Sequence, residues 1–222
     1  MKELEFPRIG ERCYYDTLPN GLPVYVLPKP GFSKSFAFFA VHYGGNDTHF
    51  RVGERWHQTP AGVAHYLEHK MFDMPEGNAL QVMSERGASV NAFTGADMTG
   101  YYFSCTDLVY ENLRDLLRFV TTPYFTEESV AKEQGIIGQE IRMIEDDPDW
   151  QIYHHLMQAL YTDHPIRNGV AGSVESIAAI TPEILESCHK TFYQASNMVL
   201  CVAGSVDPRE VFRVAAAIVP AD

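Results

Sequence analysis

The chain has 222 residues, 45% of them hydrophobic and 21% charged, with a formal net charge of −12 at pH 7. That balance supports one sizeable core and excludes a disordered chain. The acidic excess comes without any Lys or Arg cluster, which excludes nucleic acid as a partner but suits basic or unstructured peptides.

Residues 1–6 lack the apolar core of a signal peptide, and no apolar run approaches the ~20 residues that a membrane span needs. Cys13, Cys105, Cys188 and Cys201 are scattered without a close pair, so buried free thiols and a reducing cytoplasmic location are expected. The chain opens with a strand, an Asn20-Gly21 turn and a second strand over residues 16–26. Residues 35–43, with Phe36, Phe38, Phe39 and Val41, are so uniformly apolar that they predict a central strand covered on both faces. Residues 46–58 read as a polar loop whose His49 and His57 are solvated.

Next comes the stretch from Thr59 to Phe72, capped near Thr59 with Pro60 in the first turn, which carries His65-Tyr66-Leu67-Glu68-His69. On a helix turning about 100° per residue, positions 65, 68 and 69 share a face. Two neutral imidazoles four residues apart can hold one ion, while the carboxylate between them reaches a water on that ion. The spacing inverts His-Glu-x-x-His and is an inverzincin signature. A metal site of this kind needs a third ligand from elsewhere in the chain.

A short helix over residues 78–86 stops at Gly87. Two strands follow, 89–93 and 99–105, joined by a turn at residues 95–97. The first is either an exposed edge to which a peptide adds as a further strand or an ordinary hairpin arm; the residues alone leave both open. A helix over 108–120 leads through a loop to Thr126, which opens a long helix from Glu127 to about Asp146. Wound at 3.6 residues per turn, Val130, Ile136, Ile137, Ile141 and Ile144 form one stripe, and Glu133 and Glu140 fall inside it. Two carboxylates on a buried face are costly unless a cation meets them, and a metal or a metal-bound histidine is the simplest cation available. Seven residues apart, they nearly superpose along the axis, so that one can ligate an ion while the other supports a ligand histidine.

Asp147 then caps a helix with Pro148 at its first position, carrying His154 and His155 as neighbours that do not face each other. Residues 161–173 are loop, 174–177 a turn, 181–192 a helix, 198–204 a core strand and 207–218 a last amphipathic helix. No repeat or linker divides the chain. The expectation is one domain over residues 1–222, α+β, with a mainly antiparallel sheet flanked by helices.

Taken together, His65-Tyr66-Leu67-Glu68-His69-Lys70-Met71-Phe72, Asn91-Ala92-Phe93-Thr94, Gly135-Ile136-Ile137-Gly138-Gln139-Glu140-Ile141 and Asp146-Asp147-Pro148-Asp149-Trp150 resemble the pitrilysin, insulin-degrading enzyme and mitochondrial processing peptidase family, and within it a bacterial subgroup of processing proteases. The resemblance implies a zinc-dependent endopeptidase in which His65, His69 and Glu140 hold Zn2+, Glu68 is the general base and Glu133 supports a ligand. It implies too that Asn91, Ala92, Phe93 and Thr94 bind the peptide substrate. By the same resemblance the chain is the N-terminal part of a two-half clamshell. The companion is a homologous C-terminal half or a partner subunit in a homo- or heterodimer, which lends an Arg and a Tyr to the substrate. The alternative is a non-catalytic peptide-binding or partner domain that needs its companion half for activity. A purely structural zinc is disfavoured because no thiolate lies near the motif, whereas cobalt or manganese would fit the same ligands.

Overall fold

In the computed structural model, which describes residues 1–220, segments of period two form strands and segments of period 3.6 form helices. The chain begins with β1 (Lys2–Phe6), β2 (Glu11–Thr17), β3 (Pro23–Pro28) and β4 (Ser35–Val41), followed by a hairpin of β5 (His49–Val52) and β6 (Arg55–Gln58). Helix α1 (Val63–Met71) is followed by two very short strands, β7 (Asp73–Met74) and β8 (Gly77–Asn78), and by α2 (Ala79–Glu85). Then come β9 (Ser89–Thr94), β10 (Thr99–Cys105), α3 (Val109–Thr121), α4 (Glu127–Glu145) and α5 (Pro148–Leu160). The chain closes with α6 (Val174–Ile177), α7 (Pro182–Phe192), β11 (Met198–Gly204) and α8 (Pro208–Ile218).

The main sheet runs β1-β2-β3-β11-β4-β10-β9. Its one parallel pair is β3 with β11, and the other pairs are antiparallel, so the architecture is the helix-flanked, mainly antiparallel α+β that the sequence predicts. On one face Val24, Val26, Ala37, Phe39, Tyr101, Phe103, Leu200 and Val202 are fully buried in the core with Leu67 of α1, Leu113 and Leu117 of α3 and Val211 of α8.

The other face departs from expectation. Strand β4 is central, but it is covered on one side rather than both: Phe36 is 40% exposed and Phe38 half-buried. The rings instead pack on one another across strands, Phe38 on Phe93 at 6.1 Å between centroids and Phe36 on Tyr102 at 5.6 Å. Gly100 makes this possible, because a Cβ there would sit 2.5 Å from the Phe38 ring. A run apolar on both faces announces two covering layers, yet the described residues supply one.

Residues 46–58 also differ from the predicted polar loop. Gly53, at φ +61°, turns them into the β5–β6 hairpin, in which His49 stacks on Trp56 and His57 on Phe50. The turn of the β9–β10 hairpin is held to the end of β4 by Gly45 N–H to Gly95 O and Asn46 N–H to Ala96 O. Gly44 lets the two segments touch, since a Cβ would lie 2.5 Å from the Asp97 nitrogen.

Candidate metal centre

Helix α1 is buried almost throughout, His65, Tyr66, Leu67, Glu68, Lys70 and Met71 among its buried residues. The fully buried Lys70 ammonium is neutralised by an ion pair with Asp73. The helix starts later than its sequence predicts. Its N-cap is Gly62 at φ +92°, with no side-chain cap, so Thr59 and Pro60 lie before it. Close approach explains this start: a Cβ on Gly62 would lie 2.5 Å from the Ala171 carbonyl oxygen, and one on Gly172 would lie 2.5 Å from that of Ala61. The two glycines dock the start of α1 against residues 171–172.

Helix α4 lies against α1. Thr126 and Ser129 form a reciprocal capping box at its start, and the Tyr66 hydroxyl donates to the Val130 carbonyl, one turn before Glu133. Val130, Ile137 and Ile141 face the core, while Ile136 is 49% exposed, so the apolar stripe is narrower than the sequence implies. Its solvent-side margin carries Glu133 and Glu140 and borders a cleft. There the two carboxylates meet the face of α1.

Nε2 of His65 lies 3.5 Å from Oε1 of Glu140, and Nε2 of His69 lies 3.3 Å from Oε2. The ligand-capable atoms of these three residues all fall within 4.8 Å of one another, the group of this kind found among the described residues. Donors 2.0–2.1 Å from a tetrahedral zinc are separated by about 3.3–3.4 Å, so the two imidazole–carboxylate spacings suit that geometry. On its other side, Nδ1 of His69 is 3.0 Å from Oε1 of Glu133, an acceptor placed for a proton on Nδ1. Nδ1 of His65 is buried without a hydrogen-bond partner among the described residues, so that ring is oriented by packing and by the approach of Glu140 to its Nε2.

The electrostatics fit a site built for a cation. Glu140 is held below the ordinary carboxylate value, first by its hydrogen bond with His65 and against the effect of burial. Burial disfavours charge on His69, but the hydrogen bond with Glu133 and the charges of Glu68, Glu140 and Glu133 outweigh it and raise its pKa. Burial also raises Glu68, partly offset by a 2.5 Å hydrogen bond from the Thr94 hydroxyl.

Asn91, Ala92, Phe93 and Thr94 lie on β9, which is the edge of the sheet, and all four border the cleft. The period of two separates them. Thr94 turns toward α1, whereas Phe93 turns to the open aromatic face, 42% exposed. The cleft, about 1190 Å³, has a further wall that the sequence reading did not place: Trp150, Tyr153, His154 and Gln158 of α5, with residues 168–172 beneath. Helix α5 begins as predicted, with Asp147 capping it and Pro148 at its first position. Its cleft-lining residues recur at helical spacing, a signal masked because its other face is apolar as well.

Two histidines and a glutamate between them on one helix, met by carboxylates from a second helix, form the residue pattern of the inverzincin class and a candidate metal centre. A family model described as "Insulinase (Peptidase family M16)" matches residues 51–174, and one described as "Peptidase M16 inactive domain" matches residues 179–219. The chain belongs to peptidase family M16. It is 47% identical over 214 residues to the uncharacterised zinc protease YmfH of Bacillus subtilis, covering 95% of this chain and 50% of that protein. Among solved structures, an M16-like chain from Alicyclobacillus acidocaldarius superposes with a TM-score of 0.91 at 44% identity, covering 96% of this chain and 50% of the other. A protease from Helicobacter pylori shares the fold, with a TM-score of 0.83 at 21% identity, over 96% of this chain and 52% of that one. The chain therefore spans about half the length of the relatives it matches.

Proposed function

We propose that the chain is the metal-bearing half of a zinc endopeptidase, with His65, His69 and Glu140 as zinc ligands, Glu68 as general base and Glu133 holding His69 in its ligating tautomer. The observation that carries this reading is the approach of both Nε2 atoms to the Glu140 carboxylate at 3.3–3.5 Å, with Glu68 beside them on the same helix face. Zinc, when bound, supplies Lewis acidity toward a peptide carbonyl and acidifies water. Glu68 takes the proton of the attacking water and passes it to the departing amine. The exposed edge β9 offers backbone hydrogen bonds to an extended peptide, which recognise a strand whatever its side chains.

The active enzyme includes a companion half. Two observations support this: relatives are about twice as long, and the aromatic sheet face of Phe36, Phe38, Phe93 and Tyr102 lacks a second layer. Closing the cleft around the peptide supplies orientation and excludes water, which an open half does not. The four free thiols support a cytoplasmic home, and among the described residues no helix is long and apolar enough to cross a membrane.

Cleavage of a quenched peptide, measured with zinc-loaded and metal-depleted protein, alone and mixed with the companion half, tests this reading. Zinc-dependent cleavage that Glu68→Gln abolishes while zinc content stays at one per chain is the expected result. Cleavage that survives Glu68→Gln overturns the assignment. Zinc binding with no cleavage in either mixture identifies a non-catalytic partner domain instead.

A further inference from the structure

We infer that Thr94 is a positioning residue for Glu68, holding one carboxylate oxygen so that the other is presented to water. The inference rests on the zinc-peptidase reading and gives Thr94 a role other than the peptide contact expected from its place on the edge strand. Its hydroxyl donates to Oε2 of Glu68 at 2.5 Å, in the short range typical of an O–H donor facing an ionised acceptor. A hydroxyl has one proton to give, so while it is given to Glu68 it is not available to a substrate.

The rest of the hairpin fixes that hydroxyl in place. Thr94 and Thr99 are directly paired across β9 and β10. Thr99 is fully buried, its hydroxyl donates to the Tyr43 carbonyl at 2.9 Å, and its oxygen lies 3.4 Å from that of Thr94. The turn between them closes through Gly95 N–H to Met98 O at 2.7 Å and is tied to Gly45 and Asn46 by backbone bonds of 2.9 and 2.8 Å. Glu68 is thus braced from the sheet side, not by its own helix. Without the hydroxyl, its carboxylate regains rotation about a side chain of three torsions and spends less time aligned with the reacting water.

The test uses Thr94→Val, isosteric without the hydroxyl, Thr94→Ala as a second deletion should the valine variant misfold, and Thr94→Ser, which restores the group. Each is made in the zinc-loaded protein together with its companion half. The expected result is a kcat lower by about 10–100-fold in the valine and alanine variants, the usual range for losing such a support, with KM and zinc affinity within about twofold, and recovery in the serine variant. A second readout needs no turnover: affinity for a peptide hydroxamate, whose acidic proton Glu68 accepts, falls in parallel with kcat, while affinity for the matching peptide amide does not move.

A raised KM at unchanged kcat makes Thr94 a substrate contact and overturns the inference, as does a serine variant no better than valine, or hydroxamate affinity that does not change. A parallel Glu68→Gln control separates the two levels. If that variant keeps full turnover, the peptidase assignment itself fails. If it is inactive while Thr94→Val is fully active, only the role of Thr94 fails.

Discussion

Oε1 of Glu133 and Nδ1 of His69 stand 3.0 Å apart, on the side of the ring away from Glu140. A carboxylate at that position holds the proton on Nδ1 and makes Nε2 the better donor to a metal. Glu133→Gln keeps the shape but removes the charge. Competition with a chromophoric chelator should show zinc affinity weakened about 10–100-fold. An unchanged affinity would detach Glu133 from the metal centre.

Stability of the metal-free and zinc-loaded forms should respond to pH in opposite ways at His69. Its raised pKa in the metal-free protein adds stability that is complete below the unfolded value of about 6.5 and is lost as pH rises through the folded one. Glu140, held low, adds stability above its unfolded value of about 4.3 that is lost as pH falls through the folded one. Zinc requires both imidazoles neutral. The zinc-induced rise in melting temperature should therefore grow as pH rises through the folded His69 value, which lies above the ordinary value of about 6.5. Scanning fluorimetry at constant ionic strength measures it, and a shift independent of pH would contradict histidine ligation.

Glu68 illustrates a site kept at the expense of stability. Burial raises its pKa, so the ionised form is disfavoured by folding at every pH above its unfolded value. Glu68→Gln in metal-free protein at neutral pH should raise stability by roughly 0.5–2 kcal/mol, the usual gain from relieving a functional residue. Urea denaturation reads this directly. Destabilisation by the same change would mean that the carboxylate serves the fold.

Gly62 and Gly172 clasp the start of α1, each at positive φ and each with the space for a Cβ filled by a backbone oxygen 2.5 Å away. Gly62→Ala or Gly172→Ala should cost about 1–3 kcal/mol and weaken zinc binding by displacing the helix that carries both histidines. Gly169→Ala, where the space is open, is the control and should be close to neutral in thermal unfolding.

Much of this was legible because the signals are local. The His65–His69 spacing, the Thr126 and Asp147 caps and the Asn20-Gly21 turn act within a few residues, and the structure follows them. Periodicity points to Glu133 and Glu140 together as carboxylates needing a cation, and only the family resemblance singles out Glu140 as the one to approach both imidazoles. The misjudged features depend on distant neighbours. The start of α1 is decided by residues more than a hundred positions later, the described residues supply no outer cover for β4, and Ile136 is left exposed at the margin of the stripe that α4 buries. The period of two in β9 was available, yet which side each residue takes depends on the position of α1, so Thr94 was grouped with its neighbours rather than with Glu68.

Helix α5 forms a wall of the cleft without burying any of its own residues, and its ends are fixed by Asp147 and by Arg167, whose guanidinium donates to the Gln158 and Tyr161 carbonyls. Substitutions along it leave the core untouched, whereas almost any change along α1 disturbs buried neighbours. On the proposed reading, the cleft wall of α5 is free to diversify while the residues of α1 beside the proposed zinc site stay fixed.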